Sequence, residues 1–187
     1  MATTTPNYGW PVPTSTDYVK DGATAIEALG DAIDATVFGL SGNILHVRDE
    51  KASGTAAGSS IAGNQVRTLN TVVSNTITGA SLASNQITLP AGTYQIYAQA
   101  PAFVCYQHRL RLVNVTDSTV TCLGFPAYVT TSSTSFSVVI GTFTITSTKV
   151  FNLTHYTQTA RAANGLGTIV NDTFVEVYAS AIINKVG

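Results

Sequence analysis

The sequence predicts a mainly β protein, in which an extended N-terminal arm and one short amphipathic helix lead into a β-sandwich. Three observations carry that expectation. In the stretch LPAGTYQIYAQA, Leu89 to Ala100, Pro90, Ala91 and Gly92 make a turn, after which Tyr94, Ile96, Ala98 and Ala100 alternate with Thr93, Gln95, Tyr97 and Gln99. That period of two is the mark of a strand buried on one face. Earlier, Ile26, Leu29, Ile33 and Val37 recur at spacings of 3, 4 and 4, the apolar stripe of a helix. From Ile44 onward the chain is a succession of short apolar alternations divided by Gly, Asn, Ser and Thr clusters, which is sandwich spacing.

Residues 1–18 hold Pro6, Pro11 and Pro13 around Tyr8 and Trp10. Prolines at this density keep the backbone extended and remove amide donors, so this segment needs a surface to lie on. It reads either as a tail with incidental rings or as a peg in which Tyr8, Trp10 and Pro11 dock into a host protein. The helical pattern follows from Asp17 to Phe38, within a stalk set at residues 19–43, with Asp21 as its expected N-cap and Gly39 as its expected stop. One narrow stripe of Ile26, Leu29, Ile33 and Val37 has little to pack on in its own chain. Self-association into a short bundle covers it, and so does folding back on the β domain.

The head is expected over residues 44–187, with strands at Ile44 to Glu50, Gln65 to Val73, Asn85 to Leu89, Thr93 to Phe103, His108 to Val115, Ser135 to Ile145, Lys149 to Tyr156 and Thr173 to Ile183. Charge supports the boundary. Asp17, Asp21, Glu27, Asp31, Asp34, Asp49 and Glu50 make the first fifty residues acidic, whereas Arg67, Arg109, Arg111, Lys149, Arg161 and Lys185 make the remainder mildly basic. Ala52 to Gly63 is small and flexible in composition and reads as a loop or loose hairpin.

Only 10% of the 187 residues are charged, against roughly 25% in an ordinary soluble domain, and the net charge is −1. This balance favours an assembled β protein and gives no electrostatic basis for binding nucleic acid or an anionic membrane. No apolar run approaches the roughly 20 residues that insertion into a bilayer requires, and the first ten residues carry no basic leader or apolar block. Cys105 and Cys122 fit no zinc spacing and read as two buried thiols.

Two resemblances sharpen these expectations. TPNYGWPVPTSTDYVKDGATAIEALGDAID, in the first 35 residues, resembles the segment that opens many bacteriophage tail and fibre proteins. It implies a virion structural protein attached through this end to another virion protein. The order LPAGTYQIYAQAP, HRLRLVNVTD, VVIGTFTI, KVFNLTHY and EVYASAIINKV resembles the tumour-necrosis-factor-like jelly roll, the fold of complement's globular heads and of many phage fibre tips. This second resemblance implies a homotrimer with aromatics near the three-fold axis, for which Tyr97, Phe151, His155, Tyr156 and Tyr178 are the candidates. Together they imply a virion fibre or spike whose head attaches to a protein or glycan of the host surface; the alternative is a capsid or neck decoration protein that stabilises the particle.

No catalytic constellation, metal set or cofactor motif is expected. His46, His108 and His155 lie in separate predicted strands without an HExxH pair, GSSIA at Gly58 to Ala62 is not a nucleophile elbow, and Gly165-Leu166-Gly167 lacks the third glycine of a phosphate cradle. After residue 51 only Asp117, Asp172 and Glu176 are acidic, poor material for a glycosidase pair or a calcium cage. Arg109 and Arg111 share one strand face. They are placed to receive an acidic glycan or a partner carboxylate, or else to pair with Glu176 or protect a sheet edge. Tyr106, Phe125 and Tyr128 fall in or beside adjoining loops, where aromatic rings either stack on a sugar or pack into the core. Tyr106, Arg109, Arg111 and Tyr128 are therefore the candidate receptor contacts.

Overall fold

Burial follows the alternation of the LPAGTYQIYAQA stretch: Tyr94, Ile96, Ala98 and Ala100 are buried, while Gln95 and Tyr97 are exposed. The computed structural model describes residues 3–14, 18–40, 42–130 and 132–186. The chain divides into two units, Met1–Gly42 and Asn43–Gly187.

In the first unit the proline-rich arm forms a hairpin of β1 (Thr3–Thr4) and β2 (Pro11–Val12). A two-residue ladder tolerates proline because each strand has a free edge for the missing donor. The loop closes through Thr5 N–H to the Trp10 carbonyl and Trp10 N–H to Thr5 Oγ1, and the Tyr8 and Trp10 rings stack 5.1 Å apart. After a 3-10 turn at Val19–Asp21, helix α1 spans Gly22–Leu40. Asp21 therefore precedes the helix directly, as an N-cap should, but the helix runs through Gly39 to Leu40 and does not stop there. The predicted start at Asp17 lies outside the described residues. The surface that the arm needs is this helix: Trp10 Nε1 donates to Thr36 Oγ1 at 2.9 Å, and Thr36 Oγ1 donates to the Ala32 carbonyl. Leu29 and Ile33 are half-buried, whereas Ile26 and Val37 remain exposed.

The second unit is a two-sheet sandwich. One five-stranded sheet has the order β12 (Thr134–Ile145), β8 (Gly92–Phe103), β14 (Glu176–Lys185), β3 (Ile44–Lys51), β5 (Thr71–Asn75). The other, of seven strands, has the path β10 (Thr119–Leu123), β9 (Tyr106–Asn114), β13 (Lys149–Thr157), β7 (Gln86–Leu89), β6 (Ser81–Ala83), with β11 (Ala127–Val129) also on β9 and β4 (Gly63–Val66) also on β13. Every pairing in both sheets is antiparallel. The inward faces meet in one core, threaded by a row of rings: Tyr94 on Phe143 at 5.6 Å, then Phe143 on Phe151 at 5.3 Å across the sheets. Such ring pairs add to the area that they bury. Cys105 and Cys122 are free, buried thiols in separate clusters.

Several elements differ from expectation. The single strand expected from Gln65 to Val73 is two: β4 pairs with β13 in one sheet and β5 with β3 in the other. The final strand begins at Glu176 rather than Thr173, because Thr173 takes a φ of 80° and Phe174 N–H turns back to Asp172 Oδ1. The short strands β6, β10 and β11 were not expected at all, being too brief to show a period.

The break between β4 and β5 is where Arg67 turns inward, 0% exposed. Its Nη atoms donate to the carbonyls of Pro101 at 3.3 Å, Leu166 at 3.1 Å and Tyr178 at 3.1 Å, and its own N–H donates to the Leu153 carbonyl. Burial pulls its pKa down to about 10, with nearby Asp49 opposing, so the group is still charged at neutral pH. Truncating it strands three buried carbonyls and leaves a void. Arg67→Met is expected to lower the stability of the chain by about 2–4 kcal/mol in urea unfolding at fixed protein concentration; an unchanged midpoint would mean that the guanidinium does not hold these segments.

Candidate functional site

The outer face of the seven-stranded sheet gathers the predicted receptor contacts. Along β9, His108, Leu110 and Leu112 point into the core, which sends Gln107, Arg109 and Arg111 outward. Register places Tyr156 opposite Arg109 and Thr154 opposite Arg111 on β13, and Tyr128 opposite Gln107 on β11. Residues directly opposite share a face, so these side chains form one surface. A groove of about 280 Å³ opens there, lined by Gln107, His108, Arg109, Arg111, Pro126 and Tyr156. Arg111 lies over the Tyr156 ring at 5.9 Å, and its Nε is buried without a hydrogen-bond partner. Tyr106 and Tyr128, both exposed, have ring centroids 6.1 Å apart beside this groove.

The alternative expectations for the arginines do not hold. Glu176 accepts instead from the backbone N–H groups of Asn171 at 2.8 Å, Val170 at 3.1 Å and Gly54 at 3.2 Å. The Asn171 bond first, and then the other two, hold its carboxyl below the ordinary range. Nor do the arginines protect an edge, since β9 has neighbours on both sides.

The opposite surface, on the five-stranded sheet, is uncharged along β8 and β12, with large apolar side chains set among Thr and Gln. Tyr97 (45% exposed) faces Ile140 (60%) across the ladder, and Phe136 (54%) continues the row. Phe136 also lines a groove of about 340 Å³ with Pro101, Val170, Phe174, Val175 and Val177. Of the predicted interface aromatics, only Tyr97 belongs to this surface. Phe151 and His155 sit on the inward parity of β13 and are fully buried within one subunit. Tyr178 is also buried, its hydroxyl donating to the Thr55 carbonyl at 2.8 Å, and Tyr156 lies on the other sheet beside Arg111. The assignments of Phe151, His155 and Tyr178 are corrected: strand parity, which the sequence showed, turns into burial only once the register between sheets is known.

Two of the three histidines, expected to be isolated, are in contact. His108 Nδ1 lies 3.0 Å from His155 Nε2, and His108 Nε2 lies 2.7 Å from Ser135 Oγ. His155 Nδ1 is buried without a partner. A bare ring nitrogen costs less there than a stranded N–H, so the favoured tautomers have His155 donating to His108 and His108 donating to Ser135. The serine is then an acceptor that keeps its own proton, and the array is a packing network. Burial first, and the Arg67 charge second, hold His108 down to about 4 and His155 well below its ordinary value. Among the described residues no three His, Cys, Asp or Glu side chains converge as a metal site, and no helix is long and apolar enough to cross a membrane.

No protein-family model and no curated protein sequence matches the chain. Solved structures do. Murine APRIL at pH 5.0 is 9% identical, with the match covering 75% of this chain and 97% of that one at a TM-score of 0.50. The globular domain of zebrafish complement 1qA is 10% identical, covering 78% of this chain and 98% of that one at a TM-score of 0.49. The likeness to APRIL, with the strand orders above, shows the fold: a jelly roll of the tumour-necrosis-factor type.

The buried histidines give the head a pH dependence of definite sign. Their folded pKa values lie below the unfolded value of 6.5, so their contribution is fully present above that value and is lost as pH falls toward about 4. Burial raises the Asp49 pKa, against the pull of Lys51 and Arg67, and this group acts in the opposite direction. The melting temperature is expected to fall between pH 7 and pH 5, and the double variant His108→Gln, His155→Gln is expected to lose most of that slope. A flat wild-type profile would contradict the burial of neutral imidazoles.

Proposed function

We propose that this chain is a bacteriophage virion fibre or spike protein that assembles as a homotrimer and presents its jelly-roll head for attachment to the host surface. The observation that carries the assembly is the uncovered face of the five-stranded sheet. Tyr97, Phe136, Ile140 and Val177 are exposed there, with no charge among the outward residues of β8 and β12. A contiguous apolar surface of this kind marks a contact with protein, and three copies around an axis cover it.

Attachment through the first unit is supported by the resemblance of residues 1–35 to phage fibre openings and by the exposure of Tyr8. Trp10 is already committed to Thr36, so the docking element in this reading is the folded hairpin on its helix, not a loose peg. Ile26 and Val37, still exposed, offer the stripe for a bundle of three helices. Opposite in character, the outer face of the seven-stranded sheet, with its arginines and tyrosines, is left free for recognition.

Deleting residues 1–18 tests the virion reading. A folded, soluble head that no longer incorporates into particles is the expected result, because none of the described residues among them belongs to the sandwich core. Normal occupancy of the truncated chain on particles, seen by electron microscopy, would place the anchor elsewhere, and absence of the full chain from particles would sink the virion reading.

A further inference from the structure

From the outer face of the seven-stranded sheet we infer that the groove between Arg109, Arg111 and Tyr156 is a binding site for an anionic sugar unit, with Tyr128 as the stacking platform for a neighbouring ring. This rests on the attachment reading above and names the ligand class that the head would take.

Charge is the first ground. Among the described residues, neither Arg109 nor Arg111 has a hydrogen-bonded or ion-paired partner. The head's carboxylates are engaged elsewhere: Asp49 lies by Lys51, Glu50 by Arg48, Asp117 by Lys149, Asp172 on the Phe174 N–H and Glu176 on three backbone N–H groups. Arg109 and Arg111, two residues apart on one strand face, leave the backbone roughly 7 Å from each other at about 3.3 Å per residue, which lets both guanidinium groups reach one ligand. They repel until an anion lies between or beside them. Arginine answers such an anion with paired N–H donors, an arrangement suited to a carboxylate or a phosphate oxyanion.

The setting selects a sugar over a bare ion. Arg111 is positioned against the Tyr156 ring and not by any hydrogen bond to its Nε, so its outer nitrogens are presented on an aromatic support. At about 280 Å³ the groove is small, near the bottom of the roughly 300–1,000 Å³ span of small-molecule sites. One ring with its acidic group fills such a space. Gln107 adds an amide able to donate and accept, which suits ring hydroxyls. Tyr128, level with Gln107, is 57% exposed and leans on Tyr106. From that level to Arg111 is four residues along the strand, roughly 13 Å, which two consecutive sugar rings bridge.

Calorimetric titration of the full chain tests this with three probes of matched length: an oligogalacturonate, the same oligomer with its carboxyl groups reduced to alcohols, and a glycerol-phosphate oligomer. Either acidic probe is expected to bind, more weakly as salt is raised, with the reduced probe at least tenfold weaker. Arg109→Gln and Arg111→Gln are each expected to weaken the acidic probe by about tenfold to a hundredfold, as for lost charge-assisted hydrogen bonds. Tyr128→Ala should weaken it less, while solution mass and melting temperature stay as in the parent. Binding of the oligogalacturonate alone assigns the anion as a sugar carboxylate, whereas binding of the ring-free glycerol-phosphate oligomer alone would overturn the sugar assignment. Equal binding of acidic and reduced probes, unchanged affinity in both arginine variants, or no binding of any probe at millimolar concentration would overturn the site. The attachment reading fails separately: it falls if the full chain binds a probe yet does not adhere to host cells, whereas adhesion kept in the arginine variants faults the site alone.

Discussion

The Arg67 guanidinium sits in the interior without a hydrogen-bonded carboxylate, and three carbonyls from distant parts of the chain converge on it. Burying a cation on neutral acceptors is expensive, and it is sustained only where the acceptors are fixed and have no better donors. Here those acceptors are the end of β8, the loop that carries Leu166 and the start of β14. By gathering them, Arg67 closes one end of the sandwich and makes the chain leave one sheet and enter the other between β4 and β5. The same charge reaches His108 and His155 and helps to keep both imidazoles neutral, so one buried side chain shapes both the topology and the titration of the head.

A sandwich closed in this way leaves two outer faces with different chemistry. On β8 and β12 the outward residues are Thr, Gln, Tyr, Phe, Val and Ile, with no charge to keep another copy away. On β9 and β13 the outward residues include two arginines with no acid beside them, together with Tyr106 and Tyr156. Burying the first face against like faces costs no ion desolvation, whereas covering the second with protein would strand its guanidinium groups unless the partner supplied acids. The proposed assembly through the first face and the proposed recognition through the second both rest on that difference.

How much of this was legible in the sequence depended on the range of the interaction. The alternation at Tyr94 to Ala100 and the outward placing of Arg109 and Arg111 are local, and both are as read. Helix α1 also declared itself, but Gly39 did not end it, since a glycine inside a helix costs only about 1 kcal/mol. What failed were statements that needed register between strands far apart in the chain. Phe151, His155 and Tyr178 carry the residue types of an interface and lie inside the subunit, and His108 meets His155 only because β9 and β13 are neighbours. Arg67 gave no local sign of burial, as its acceptors are 34 to 111 residues away. The apolar outer face was half visible: Tyr97 was noticed, but Phe136 and Ile140 were not paired with it before the β8 and β12 ladder was known.

The central claim is that the outer face of β8 and β12, which carries no charge, is a subunit contact, and solution mass addresses it most directly. Light scattering at micromolar concentration should give three copies of the chain for the parent and a smaller species for Ile140→Glu, with the far-ultraviolet β spectrum unchanged. A parent chain that scatters as a monomer, or an Ile140→Glu variant that remains a trimer, would contradict the account.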